Sequence, residues 1–277
     1  MASNLSDLRL AVLIDADNAP RKNLKNVMAE IALYGTPTVK RIYGDWTSPN
    51  LTGWKTLLLE NAITPVQQYG YTTGKNSTDS AMIIDAMDIL YSGKTDGFCL
   101  VSSDSDFTRL ATRLREAGMK VIGIGEKKTP NSFIVACDKF IYTEIIGASS
   151  SEEEKSAQAS KNGWKLKMPE TKKKPEEPPA EPSNGKVTDE VAKLIATTVS
   201  DLADEDGWAF MGEIGNLLLK KQPDFDPRNF GFQKLTPLIK SLSRFEIDVR
   251  QTNIPYIKHI YVRDKSGAES GGESPHA

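Results

Sequence analysis

Five short apolar runs, Leu10 to Ile14, Thr38 to Tyr43, Ile63 to Gln67, Gly97 to Ser102 and Lys120 to Ile124, alternate with segments of helical spacing over the first half of the chain. This alternation is what most narrows the possible folds. Asn23 to Tyr34 carries Leu24, Val27, Met28 and Ile31 on one stripe, Asp79 to Tyr91 carries Met82, Ile83, Ala86, Met87 and Leu90, and Phe107 to Ala117 carries Leu110, Ala111 and Leu114. Strands that alternate with helices predict an α/β domain, a mostly parallel sheet with helices on both faces and right-handed crossovers. Ligands of such sheets bind beyond the carboxyl ends of the strands, where the strand order reverses. A strand order of 3-2-1-4-5 sets the ends of the first and fourth runs side by side.

Both of those ends lead into acidic loops. The first run continues into Ile14-Asp15-Ala16-Asp17-Asn18 and the fourth into Val101-Ser102-Ser103-Asp104-Ser105-Asp106-Phe107, while Lys75-Asn76-Ser77-Thr78-Asp79 opens the helical segment between them. Carboxylates gathered at strand ends repel one another and lose hydration, so they persist when paired, protonated or holding a cation. Capping explains each acid singly: Asp79 suits a first turn, with Ser77 or Thr78 as its cap. It does not explain acids at all three loops. Asp85, six residues beyond Asp79, falls on another face and is a weak candidate.

The only histidines, His259 and His276, lie in the C-terminal part. The first domain therefore has no imidazole for a Ser-His-Asp triad or for metal-free ribonuclease chemistry. Carboxylates without histidine favour a hard cation, Mg²⁺ or Mn²⁺. Such an ion activates water and stabilises phosphate oxygens, so phosphodiester hydrolysis is the expected reaction. Lys75 is placed to meet a phosphate oxygen, and Trp46, beside the Gly44-Asp45 turn with Tyr43 and Trp54 nearby, offers a ring on which a base stacks. Gly123-Ile124-Gly125 ends a strand but lacks the spacing and the following acid of a dinucleotide fingerprint, and reads as a turn. Asp15-Ala16-Asp17 also offers the nucleophile and acid of a haloacid-dehalogenase-type phosphatase, although Ala19 stands where that family has Thr or Val; a phosphoenzyme trapped on Asp15 would mark that alternative.

Composition bounds the class without deciding it. A chain of 277 residues, 39% apolar and 26% charged, is ordinary for a soluble protein of one or two domains. No run reaches the length of a membrane span and the N-terminus has no signal pattern, so a cytoplasmic location is expected. Cys99 and Cys137 sit in apolar runs and read as buried reduced thiols, away from zinc or redox chemistry. The net charge of −2 comes from Glu269 and Glu273, since the charges balance within residues 1–147, 148–185 and 186–265. Any nucleic-acid affinity thus rests on a local patch or on metal, and weakens with salt.

Residues 148–185 are crowded with Pro and charge and are expected to form a disordered linker, with residues 266–277 a disordered tail. Residues 186–265 are globular again. Thr188 to Asp201, Phe210 to Lys220 and Gly231 to Ser241 have helical spacing, with Pro237 a candidate kink, and Phe245 to Val249 with Tyr256 to Val262 predict a hairpin. Three helices and a wing make a winged-helix (α+β) unit.

Four motifs in order, Asp15-Ala16-Asp17-Asn18, Lys75-Asn76-Ser77-Thr78-Asp79 with Asp85-Ala86-Met87, Ser102-Ser103-Asp104-Ser105-Asp106-Phe107 and Lys120-Val121-Ile122-Gly123-Ile124-Gly125, resemble the NYN domains of the PIN-like nuclease superfamily over residues 8 to 146. The resemblance implies a Rossmann-like domain over residues 1–147 that cleaves single-stranded or structured RNA with Mg²⁺ or Mn²⁺. It sets the family's metal-binding acids on Asp15, Asp79, Asp104 and Asp106, with Asn18 as their polar neighbour. Ser103 stands where many relatives have Gly and adds a side chain near the substrate. Asp206-Gly207-Trp208-Ala209-Phe210, Gly215-Asn216-Leu217-Leu218-Leu219 and Phe225 through Leu235 resemble the LOTUS (OST-HTH) domain, which implies an RNA-binding or protein-docking module over residues 186–265. There Arg228, Lys234, Lys240 and Arg244 are candidates for phosphate contacts. The expectation is a metal-dependent endoribonuclease whose tethered C-terminal module recruits RNA or a protein partner, the alternative a non-catalytic RNA-binding adaptor.

Overall fold

The computed structural model of the chain describes residues 7–69, 77–146, 187–251 and 258–266. The expected linker, the tail beyond Ser266 and Lys75 lie outside these residues.

The N-terminal domain is one parallel sheet. Its strands are β1 (Arg9–Asp15), β2 (Thr36–Gly44), β3 (Thr64–Gln67), β4 (Gly97–Val101), β5 (Lys120–Gly125) and β6 (Lys139–Tyr142), ordered β3-β2-β1-β4-β5-β6. The expected order holds, and β6 adds an edge strand too short to stand out in the sequence. The order reverses between β1 and β4, where Ile14 lies opposite Val101. Asp15 and Ser102 therefore leave the sheet side by side.

The strands carry little polar alternation because both faces are covered. Leu10, Val12 and Ile14 pack with Leu24, Val27 and Ile31 of α1 (Leu24–Ile31) on one face. Ala11 and Leu13 pack on the other with Met82 and Ala86 of α3 (Ser77–Tyr91) and with Leu110 and Leu114 of α4 (Thr108–Glu116). The remaining helices of this domain are α2 (Lys55–Asn61), α5 (Asn131–Ala136) and α6 (Thr143–Ile146). Cys99 and Cys137 are buried and unpaired, as expected, and burial pushes both thiols up to about 12.

Gly123-Ile124-Gly125 ends β5, as expected, and lies within the strand rather than in a turn. A Cβ on Gly123 would stand 2.5 Å from Phe140 and 2.8 Å from the Cys137 sulfur, so the glycine makes room for the neighbouring strand's aromatic ring. Gly123→Ala is expected to lower unfolding stability by about 1–3 kcal/mol through overpacking, read from the urea midpoint at unchanged slope.

The C-terminal domain comprises α7 (Asp189–Leu202), β7 (Trp208–Phe210), α8 (Met211–Lys221), α9 (Leu235–Ser241), β8 (Phe245–Gln251) and β9 (Lys258–Asp264). Its sheet, ordered β7-β9-β8, is antiparallel, and with three helices it forms the expected winged helix. Thr188 caps α7 through its hydroxyl. The three-residue β7 escapes sequence reading. Pro237 does not kink its helix: with Lys234 at the N-cap it falls in the first turn, where a missing N–H costs nothing.

The two folded parts meet along the β6 edge. Phe140 donates its backbone N–H to the Pro223 carbonyl at 2.9 Å, and Tyr142 donates its hydroxyl to Asp224 at 2.7 Å. Arg228 donates to both Glu30 oxygens at 2.8 Å and to Asp226, and the two carboxylates are 7% and 6% exposed. Arg228 is thereby engaged between the domains rather than offered to a phosphate, and Arg244 is likewise held by Asp264. Of the expected basic face, Lys234 and Lys240 stay exposed.

Candidate metal centre

Three acids converge at the switch point. Asp79, in the first turn of α3, and Asp104 and Asp106, in the turn after β4, each offer a carboxylate oxygen within 4.8 Å of the others. Asp104 accepts a hydrogen bond from the Asp106 N–H at 3.0 Å, which caps the 3-10 turn Ser105–Phe107 and aims both side chains from one short loop. Oxygen-only donors of this kind fit a small hard cation.

Asp15 stands outside that group and is buried, 1% exposed. Its Oδ1 accepts the Asp17 N–H at 3.0 Å, and its Oδ2 accepts Asn18 Nδ2 and the Ser102 hydroxyl, both at 2.8 Å. Ser102 in turn accepts the Asp104 N–H at 3.1 Å. A polar chain thus runs Asn18, Asp15, Ser102, Asp104, and it ties the end of β1 to the turn that carries the acids. Asn18 is a positioning residue in it. Ser102 went unrecognised in the sequence because its role exists only once β1 and β4 are neighbours. Asp17 completes the rim through a side-chain hydrogen bond with Thr78, next to Asp79.

The other sequence candidates are placed elsewhere. Ser103 turns its hydroxyl away to accept the Glu126 N–H at 2.9 Å. Trp46 donates its indole N–H to the Val66 carbonyl at 2.9 Å and packs on the core, so its ring is only partly open. Asp85 pairs with Arg41 and the Tyr43 hydroxyl, and joins α3 to β2 rather than to the acid cluster.

Negative charges oppose one another at this site. Burial, followed by the charges of Asp15, Asp104, Asp106 and Asp17, pushes Asp79 up to about 6. Burial, Asp15 and Asp45 raise Asp17 as well. A folded-state value above the unfolded one means that protonation of Asp79 favours folding: this contribution is full below about pH 4 and is lost as pH rises through about 6. A divalent ion at the cluster would relieve the same repulsion. Mn²⁺ is therefore expected to raise the melting temperature clearly at pH 7.5 and little at pH 5, in thermal scans at matched ionic strength.

A model of the NYN domain matches residues 9–147, half of the chain. The chain belongs to the NYN family. The NYN domain is part of the PIN-like nuclease superfamily, and the six-stranded sheet accords with that fold. A second model, of the OST-HTH/LOTUS domain, matches residues 185–257, so the two domains stand in the expected order and their pairing marks a nuclease-like, RNA-directed protein. Among solved structures, the chain is similar to the protein of unknown function VPA0982 of Vibrio parahaemolyticus, at 21% identity, covering 50% of this chain and 94% of that one with a TM-score of 0.41. It is also similar to an uncharacterized protein from gene locus NE0665 of Nitrosomonas europaea, at 30% identity, covering 40% of this chain and 98% of that one with a TM-score of 0.27. No curated protein matches. Among the described residues no helix is long and apolar enough to cross a membrane.

Proposed function

We propose that the chain is a metal-dependent endoribonuclease whose LOTUS domain adds contacts to RNA or to a protein partner. The observation that carries this reading is the convergence of Asp79, Asp104 and Asp106 at the switch point of the NYN sheet. These three acids hold a divalent ion, Mg²⁺ or Mn²⁺, with Asp15 behind them as the acid that fixes their loop. The bound ion supplies a more acidic water and charge neutralisation at the phosphate. The protein's own contribution is positioning: Ser102 and Asn18 hold Asp15, Asp104 caps its turn, and Asp17 with Thr78 holds the start of α3 beside the site. Both oxygens of Asp15 already accept hydrogen bonds, which favours this framework role over that of a phosphatase nucleophile. Action in the cytoplasm fits the two unpaired buried thiols.

The test is incubation of the full chain with end-labelled single-stranded and hairpin RNAs in Mn²⁺, in Mg²⁺ and in EDTA. Internal cleavage that requires the metal is expected. Intact RNA in every lane, with RNA still bound, would replace the nuclease by the adaptor.

A further inference from the structure

The carboxylate site is flanked by a cleft of the opposite charge. A cavity of about 500 Å³ opens beside the β1 loop, and Ala16, Asp17, Arg21, Lys22, Asn50 and Trp54 are among its walls. Asp17 is the shared wall, since it also reaches Thr78 at the edge of the acid cluster. Arg21 and Lys22 sit on the 3-10 turn Arg21–Asn23 that leads from the loop into α1, and both side chains are exposed.

Neither cation has a hydrogen-bond or ion-pair partner among the described residues. Arg9, Arg41 and Arg115 of the same domain are each engaged by an aspartate. The Arg21 guanidinium instead packs over Gly53. A Cβ on Gly53 would stand 2.2 Å from its Nη1 and 2.8 Å from its Cζ, so the guanidinium lies against the bare backbone of that glycine. The cleft floor is apolar, with Trp54 2% and Leu51 6% exposed. A guanidinium, an ammonium and an Asn amide at one cleft suit an anion. The volume lies in the range of small-molecule sites.

An anion that binds there with its neighbour at the acid cluster has charges in a row, which is the property of a nucleic-acid strand. We propose that this cleft binds the nucleotide next to the scissile phosphate of a single-stranded RNA, with the forked Arg21 guanidinium and the Lys22 ammonium on its phosphodiester and Gly53 as the seat of the guanidinium. The inference rests on the reading of the chain as an RNA nuclease and adds the residues that choose the strand's path. Lysine at position 21 keeps the charge but not the two-pronged geometry.

The experiment measures fluorescence anisotropy of a labelled single-stranded RNA with the full chain, in a non-cleaving Asp104→Asn background with Mn²⁺, across a series of KCl concentrations. Arg21→Ala is expected to weaken binding about tenfold and to reduce the salt slope by about 0.7, the share of one phosphate contact on a single strand. Lys22→Ala shifts both in the same direction. Gly53→Ala, which removes no charge, weakens binding by displacing the guanidinium, and Arg21→Lys restores only part of the loss. Mn²⁺ affinity, read by calorimetry without RNA on the same four substitutions made singly in the otherwise wild-type chain, stays at the wild-type value. Binding within twofold of the background for both Arg21→Ala and Gly53→Ala overturns the proposal, as does the same loss of Mn²⁺ affinity in each, which would mean general damage to the site. A wild-type chain that never cuts RNA, together with the expected losses, overturns the nuclease and leaves the cleft. Cleavage without the losses does the reverse.

Discussion

Asp79→Asn and Asp104→Asn, made singly, are each expected to reduce metal-dependent RNA cleavage by at least about a hundredfold. Removal of a partner that only orients a metal ligand already costs about 10–100-fold, and these two acids belong to the three whose oxygens converge. The substitution is nearly isosteric, so the fold survives it. At Asp104 the amide oxygen still accepts the Asp106 N–H and keeps the 3-10 turn capped. Each change also removes one negative charge from a cluster in which charges oppose one another, so the metal-free variants melt no lower than wild type. Cleavage, Mn²⁺ binding and melting temperature are read on the same preparations. Loss of cleavage and of metal affinity with melting retained confirms the centre, and cleavage within threefold of wild type in both variants ends that reading.

Arg228→Ala is expected to destabilise the chain by about 3–5 kcal/mol, the cost of stranding buried charge. The guanidinium makes four hydrogen bonds, two to Glu30 and two to Asp226. Both carboxylates are nearly inaccessible, and removal of their shared cation leaves two buried negative charges facing each other. Lys139 lies close enough to feel both acids but is half-buried, and desolvation lowers its own pKa. It compensates in part. Burial raises Asp226, but the Arg228 hydrogen bonds outweigh it and hold the carboxyl below its usual range. That contribution is present above the unfolded value and is lost only in acid, as pH falls through the depressed one. Urea unfolding followed by tryptophan fluorescence checks the size, and Arg228→Met with Glu30→Gln is expected to recover part of the loss by removing a stranded charge along with its partner. A cost under about 1 kcal/mol for Arg228→Ala, the scale of a surface pair, would show that the ion triad does not hold the domains together.

Much of the fold was legible because it follows from local pattern. The apolar runs of β1, β2, β4 and β5 and the stripes of α1, α3 and α4 are strong, and the acids at the ends of β1 and β4 converge if the sheet reverses there. Elements with weak local signals were not legible. The strand β6 has four residues and β7 three, too few to show a period, and β5 ends in glycines whose purpose is the space taken by Phe140. Side-chain roles that depend on tertiary neighbours were hidden for the same reason. Ser103 faces the substrate by sequence position but serves the β5 loop in space, and Ser102, one residue earlier, carries the link to Asp15. Arg228 and Arg244 read as a basic face because their acids Glu30 and Asp264 are remote in sequence, and Glu30 belongs to the other domain.

The edge contact at β6 turns two modules into a ruler. Three strands, β4, β5 and β6, lie in line from the acid-bearing turn to the seam where Pro223 and Asp224 attach, and neighbouring strands lie about 4.8 Å apart. The seam is therefore about 10 Å from the strand that carries the carboxylates, two such spacings away. A recognition module on a free tether samples many distances and lets the cut wander along a bound strand. Under the nuclease reading proposed above, a docked one sets a constant offset between the element it grips and the bond that is broken, so the heterogeneity of product ends becomes a readout of whether the seam is closed.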